Sequence, residues 1–214
     1  MPNPIELLQD EALAACKAAT GPCATCQAER LLHGEGQDRA YPVVQRAPPW
    51  PVKVMAVMEA PNRSDTFDEG KRRLTVEADT DPTGSFMWEL LDSVGLGTDQ
   101  VLFTNSVLCL PAKRQGGKYP VSARQQDLCS KWLGRFIEVA DPAVIITFGG
   151  VALQAMARLE HHRLALRDAG KLHPWGGRQL LPLYHPGLLG RVSRPAEKQK
   201  QDILVLREFL GRGQ

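Results

Sequence analysis

The chain has 214 residues, a length that favours one domain spanning 1–214 with room for a sizeable core. Hydrophobic residues make up 43 %, and no apolar run is long enough for a membrane-crossing helix. The net charge of +2 gives no bulk electrostatic case for nucleic acid, and five cysteines are too few for a disulfide-stapled secreted scaffold. Nothing at the N-terminus reads as a signal peptide, so the expected compartment is the cytoplasm, where thiols stay reduced.

Residues 4–17 read as a helix, with Pro4 near its first turn followed by Ile5, Leu7, Leu8 and Leu13. Cys16 lies in this Ala-rich stretch and reads as core. Gly21-Pro22 marks a turn, and Cys23-x-x-Cys26 follows it. A Pro-rich link over 47–51 leads into a strand at 52–58, then a long polar loop to Pro82. A helix is expected over 84–94, stopped by Gly95, and a second strand over 101–107. Ser122-x-x-Gln125 has the spacing of a capping box opening a helix that carries Cys129, Trp132, Leu133, Phe136 and Ile137 and ends at Asp141-Pro142. The fully apolar 143–148 reads as a strand covered on both faces; Gly149-Gly150 then turns into a helix to Leu159. A fourth strand is expected over 178–184 and a closing helix over 195–210.

Four strands alternating with helices imply an α/β fold, a three-layer α/β/α sandwich around a four-stranded parallel sheet. Ligands of such folds bind beyond the carboxyl ends of the strands. Glu59-Ala60-Pro61-Asn62 and Asp65 follow the first strand, Asn105 lies near the end of the second, and His185-Pro186-Gly187 follows the fourth. Two carboxylates, an amide and a histidine thus converge on one rim.

Cys23 and Cys26 bind one metal centre without strain, and Cys109 and Cys129 are placed to close the site. Four thiolates suit a tetrahedral zinc or an iron–sulfur cubane, and residue spacing alone does not separate the two. Basic residues cluster at Lys71-Arg72-Arg73, at Lys113, Arg114 and Lys118 in a Gly-rich loop, and at Arg191, Arg194, Lys198 and Lys200. Such runs are commonly solvated surface, but these flank the candidate loops. No Gly-x-Ser-x-Gly elbow is present, which counts against an α/β hydrolase with a structural zinc.

Glu59-Ala60-Pro61-Asn62 resembles the first motif of the uracil-DNA glycosylases, Gly-Glu-Ala-Pro-Gly in family 4. His185-Pro186-Gly187 resembles their second motif, His-Pro-Ser or His-Pro-Ala. Thr104-Asn105-Ser106-Val107-Leu108-Cys109 resembles Thr-Asn-x-x-Lys-Cys, and the four cysteines fall in the order family 4 uses for a 4Fe-4S cluster. Met58 and Asn62 stand where the first motif has its glycines. The loop after it is longer than the family's Gly-Arg-Pro-Phe stretch, which leaves Phe67 and Phe86 as alternatives for the residue that stacks on a flipped base. Lys71-Arg72-Arg73-Leu74-Thr75 superficially resembles the Lys-Arg-Arg-Ile-His loop of a DNA-crosslinking branch, but lies elsewhere and ends in threonine.

The resemblance implies a monomeric enzyme of base excision repair that hydrolyses the N-glycosidic bond of a flipped-out uracil in DNA. Asp65 would stabilise the sugar cation and orient water, and His185 would donate to uracil O2 as charge develops there. Asn105 would pair with O4 and N3–H and reject cytosine. Glu59, Ala60, Pro61 and Asn62 would line the pocket, with Glu59 holding the motif loop through bonds to backbone. Lys113, Arg114, Lys118, Arg191 and Arg194 would face DNA. The implied cofactor is a 4Fe-4S cluster on Cys23, Cys26, Cys109 and Cys129, pinning the loop at 113–118 against DNA. The alternative is a non-catalytic lesion- or nucleic-acid-binding protein that keeps the fold and cluster.

Overall fold

The computed structural model describes residues 2–33, 42, 47–61, 66–68, 71–73, 82–97, 99–111 and 120–211. Helices α1 (Pro4–Ala18) and α2 (Pro22–His33) come first. Asn3 caps α1 by accepting from the Ile5 N–H at 2.9 Å, and its amide donates to the Pro48 carbonyl, tying the N-terminus to the body. The sequence marked only a turn before the CxxC. Pro22 instead opens α2, where a missing N–H costs nothing, so both cysteines ride on a helix.

Strand β1 (Val54–Met58) is followed by a hairpin of β2 (Thr66–Asp68) and β3 (Lys71–Arg73) inside the stretch expected to be loop. Then come α3 (Pro82–Asp92), β4 (Val101–Asn105), α4 (Ala123–Ala140), β5 (Val144–Phe148) and α5 (Gly150–Leu159). The expected capping box is formed. Ser122 Oγ accepts from the Gln125 N–H at 3.1 Å, and Gln125 Oε1 accepts from the Ser122 N–H at 2.9 Å.

The sheet order is β4-β1-β5-β7-β6, where β6 is His173–Trp175 and β7 is Arg178–Leu183. Four strands are parallel as expected; β6 adds a fifth, antiparallel strand at the edge. Its three residues include a proline, too short and too polar for a period-2 pattern, and it forms as the hairpin partner of β7 across Gly176-Gly177. The closing helix is three pieces, α6 (Leu188–Ser193), α7 (Ala196–Ile203) and α8 (Val205–Gly211). Pro195 forces the first break, because it cannot continue a helix already running.

Strand residues alternate between two cores. Met55, Val57, Leu102 and Ile145 pack against the face covered by α1, α4 and α5. Val54, Ala56, Phe103, Ile146 and Phe148 pack against α3, α7 and α8. Burial on both faces explains why these strands are uniformly apolar, and it makes the expected three layers. From β1 the chain moves to β4 on one side and then crosses to β5 on the other. The order reverses at β1, and in such sheets the carboxyl ends of the strands at that point are where a ligand crevice lies.

Candidate active site and thiol cluster

Asn105 is the last residue of β4 and pairs in register with Met58, the last of β1. The chain then bends, and the two loops leaving the sheet are bonded together. The Ser106 N–H donates to the Met58 carbonyl at 2.8 Å, the Val107 N–H to the Glu59 carbonyl at 3.1 Å, and Ser106 Oγ to that same carbonyl at 2.6 Å. Glu59 thus anchors the first motif through its backbone carbonyl. Burial pushes its carboxyl above the usual carboxylate range.

The Asn105 side chain is 1 % exposed, and neither its Nδ2 nor its Oδ1 has a hydrogen-bond partner among the described residues. Burying an amide with both ends unsatisfied costs on the order of 1–3 kcal/mol. A core residue would not hold such a group without return. A planar ligand edge carrying one acceptor beside one donor satisfies both atoms at once.

His185 stands two residues beyond β7, three strand spacings along the rim from β4, or about 14 Å. The Gly187 N–H donates to His185 Nδ1 at 3.0 Å. Accepting that bond requires Nδ1 to be unprotonated, so the neutral ring carries its proton on Nε2. Close packing fixes the ring and its backbone. A Cβ on Gly149 would lie 3.5 Å from His185 Cβ, one on Gly187 would lie 2.9 Å from Nδ1, and one on Gly190 would overlap the His185 carbonyl. Gly149 also lies at φ +93°, a conformation that glycine alone adopts freely.

Ala60 and Pro61 sit on the rim after β1, Pro61 buried. Asn62, Asp65, Lys113, Arg114 and Lys118 lie outside the described residues, as does the Phe67 side chain; the Phe67 backbone is in β2. Phe86 is 6 % exposed in the α3 core, with the Arg191 guanidinium 5.2 Å over its ring. Arg194 gives its guanidinium to Asp202 in two bonds of 2.9 and 2.5 Å, which commits it to holding α6 on α7. Lys200 pairs with Glu89 at 2.6 Å.

Sequence reasoning missed one surface. Leu188, Leu189 and Val192, immediately after the His-Pro-Gly motif, are 75, 85 and 81 % exposed. Their sequence signal was Leu188-Leu189 between Gly187 and Gly190, with Val192 between Arg191 and Ser193.

The cysteines bring together four elements. Cys16 comes from α1, Cys23 and Cys26 from α2, Cys109 from the segment after β4, and Cys129 from α4. All are free thiols, and all but the half-buried Cys26 are buried. Cys16 packs in the core as expected, and its Sγ also lies 3.4 Å from Cys23 Sγ and 3.7 Å from Cys109 Sγ. Contact with Cys109 and burial push the Cys16 thiol up to about 12, despite an opposing bond with Cys23. Cys23 is raised by its bond with Cys16 and by burial. Burial drives Cys129 up to about 12. Cys109 is also raised: its bond with Cys16 lowers it, but burial and the nearby Cys129, Cys26 and Cys23 outweigh that bond.

No ready-made metal-ligand arrangement of three or more His, Cys, Asp or Glu occurs among the described residues. The chemistry of the donors nevertheless fits a thiophilic centre. Four buried thiols, Cys16, Cys23, Cys109 and Cys129, have raised pKa values with the half-buried Cys26 close by, and a bound cation is what would let several ionise together.

An open α/β sheet whose carboxyl rim carries a buried amide without a partner among the described residues, and an oriented imidazole, has the architecture of a ligand-binding α/β fold. The profile of the Uracil DNA glycosylase superfamily matches residues 45–207, and the chain belongs to that superfamily. It is 25 % identical over 168 residues to the type-4 uracil-DNA glycosylase of Archaeoglobus fulgidus, covering 76 % of this chain and 79 % of the relative. It is 26 % identical over 130 residues to the type-4 uracil-DNA glycosylase of Thermotoga maritima, covering 59 % of this chain and 65 % of the relative.

Proposed function

We propose that this chain is a uracil-DNA glycosylase that hydrolyses the N-glycosidic bond of a uracil flipped out of DNA, leaving an abasic site in base excision repair. The observation that carries this is the buried amide of Asn105 at the strand ends, without a hydrogen-bond partner among the described residues. Uracil presents O4 as an acceptor beside N3–H as a donor, which answers Nδ2 and Oδ1 together. Cytosine presents the reverse and would leave both atoms unpaired, at the cost already stated.

Breaking the C1′–N1 bond leaves positive charge on the sugar and sends the electron pair into the uracil ring. His185, with its proton on Nε2, donates to O2 as that oxygen gains charge. Asp65 stabilises the sugar cation and orients the water whose oxygen bonds C1′ and whose proton is released. Glu59, Ala60 and Pro61, held through Glu59 by the Ser106 Oγ bond, form the pocket wall, and Asn62 would extend it. Phe86 lies in the core beneath Arg191, so Phe67 is the better stacking surface. Leu188 and Leu189 are apolar wedges that fill the duplex position vacated by the base. Arg191, Lys113, Arg114 and Lys118 contact phosphates, and Arg194 supports them through Asp202. Cys23, Cys26, Cys109 and Cys129 would hold a 4Fe-4S cluster, whose bound role is to pin the segment after β4 against α2 and α4. Among the described residues no helix is long and apolar enough to cross a membrane. A monomeric, cytoplasmic enzyme accords with this reading.

The test is incubation with oligonucleotides carrying one uracil, followed by alkali cleavage at abasic sites. Strand scission at the uracil alone is expected. Tight binding without scission would establish a non-catalytic binder instead.

A further inference from the structure

We infer that Cys16 is a fifth, working thiol of the cluster cage, able to take the iron corner of Cys26 when Cys26 is lost. The inference rests on reading the other four cysteines as an iron–sulfur site.

Cys16 is 4 % exposed at the last turn of α1. Cys16 belongs to the apolar core cluster with Ile5, Leu8 and Ala12. Beyond that packing its Sγ touches two sulfurs from two other elements, at 3.4 Å and 3.7 Å. Sulfurs sharing one tetrahedral ion at about 2.3 Å lie about 3.8 Å apart, so these contacts are already at single-ion spacing. A cubane binds each thiolate to a different iron and spreads them wider. Loading a cubane between Cys23 and Cys109 therefore brings iron against Cys16 Sγ, or pushes that sulfur aside.

Five donors serve four corners, so one is surplus. Cys26 is the least buried of the five. It shares a helical face with Cys23, three residues away, whereas Cys16 approaches Cys23 from the neighbouring helix. In the exchange one Fe–S bond to Cys26 breaks and one Fe–S bond to Cys16 forms. The Cys16 proton passes through solvent to the released Cys26 thiolate, and the irons keep their oxidation states.

The experiment measures iron, acid-labile sulfide and visible absorption after anaerobic reconstitution of the full chain, in wild type, Cys16→Ala, Cys26→Ala and the double variant. Wild type and Cys16→Ala should load fully. Cys26→Ala should stay within about twofold of wild type with iron and sulfide equal, and the double variant should fall by about tenfold or more. Should the double variant misfold by circular dichroism, Cys16→Ser on the Cys26→Ala background takes its place, since serine keeps the size but binds iron poorly. The inference is overturned if Cys26→Ala alone loses its iron or holds a cluster with sulfide in excess, or if adding the Cys16 substitution changes nothing. Wild type that takes up no iron, or stoichiometric zinc, would remove the iron–sulfur reading itself, and the inference with it.

Discussion

Ser106 Oγ donates to the Glu59 carbonyl at 2.6 Å, joining residues 47 positions apart at the two strand ends that flank the crevice. This bond holds the first motif beside Asn105. Ser106→Ala should lower stability by about 1 kcal/mol, with an unchanged denaturant slope. It should also slow uracil excision, because the motif loop loses a fixed point. Urea titration and single-turnover assays check both; full activity with full stability would show that the backbone bonds suffice.

Asn105 should be a residue that weakens the fold it serves. Asn105→Leu, similar in size and free of polar atoms, should stabilise the protein by about 1–3 kcal/mol while abolishing excision. Asn105→Asp should erode discrimination between uracil and cytosine, since a carboxylate lacks the amide donor for O4. Thermal unfolding and excision from matched uracil- and cytosine-containing strands measure the two effects. A destabilised leucine variant would reveal a protein partner for the amide.

His185→Ala and Asp65→Ala should each lower the single-turnover rate by about 10²–10³ while DNA binding stays nearly intact. Both groups act on charge that appears mainly in the transition state. Gly190→Ala should mimic His185→Ala, because its Cβ overlaps the His185 carbonyl and must displace that backbone. Wild-type rates in any of the three would remove that residue from the mechanism.

Glu59 gives a pH signature. Burial raises its carboxyl above the ordinary 4.5, so the native state keeps a proton that the unfolded chain has already released. Stability therefore falls as pH rises from the ordinary value through the raised one. Glu59→Gln should flatten that decline. Denaturant midpoints compared between about pH 4.5 and pH 7 test this, and identical slopes in the two proteins would contradict it.

The parallel sheet and its rim were legible in the sequence because their signals are local. Apolar runs such as 143–148, the Ser122–Gln125 spacing and glycines after strands follow from short-range sterics and hydrogen bonding. The positions of Glu59, Asn105 and His185 at strand ends followed from the same alternation. Tertiary structure decided what depends on residues far apart. The edge strand β6 exists through its pairing with β7, and Arg194 meets Asp202 because α6 folds back on α7. The burial of the Asn105 amide, without a partner among the described residues, depends on the folded rim where its strand end pairs with Met58 of β1. Cys16 carries no motif of its own; it reaches Cys109, 93 residues away, because α1 packs on α4 and brings its last turn over the segment after β4. Local patterning fixes which elements form, and long-range packing fixes which thiols and amides meet.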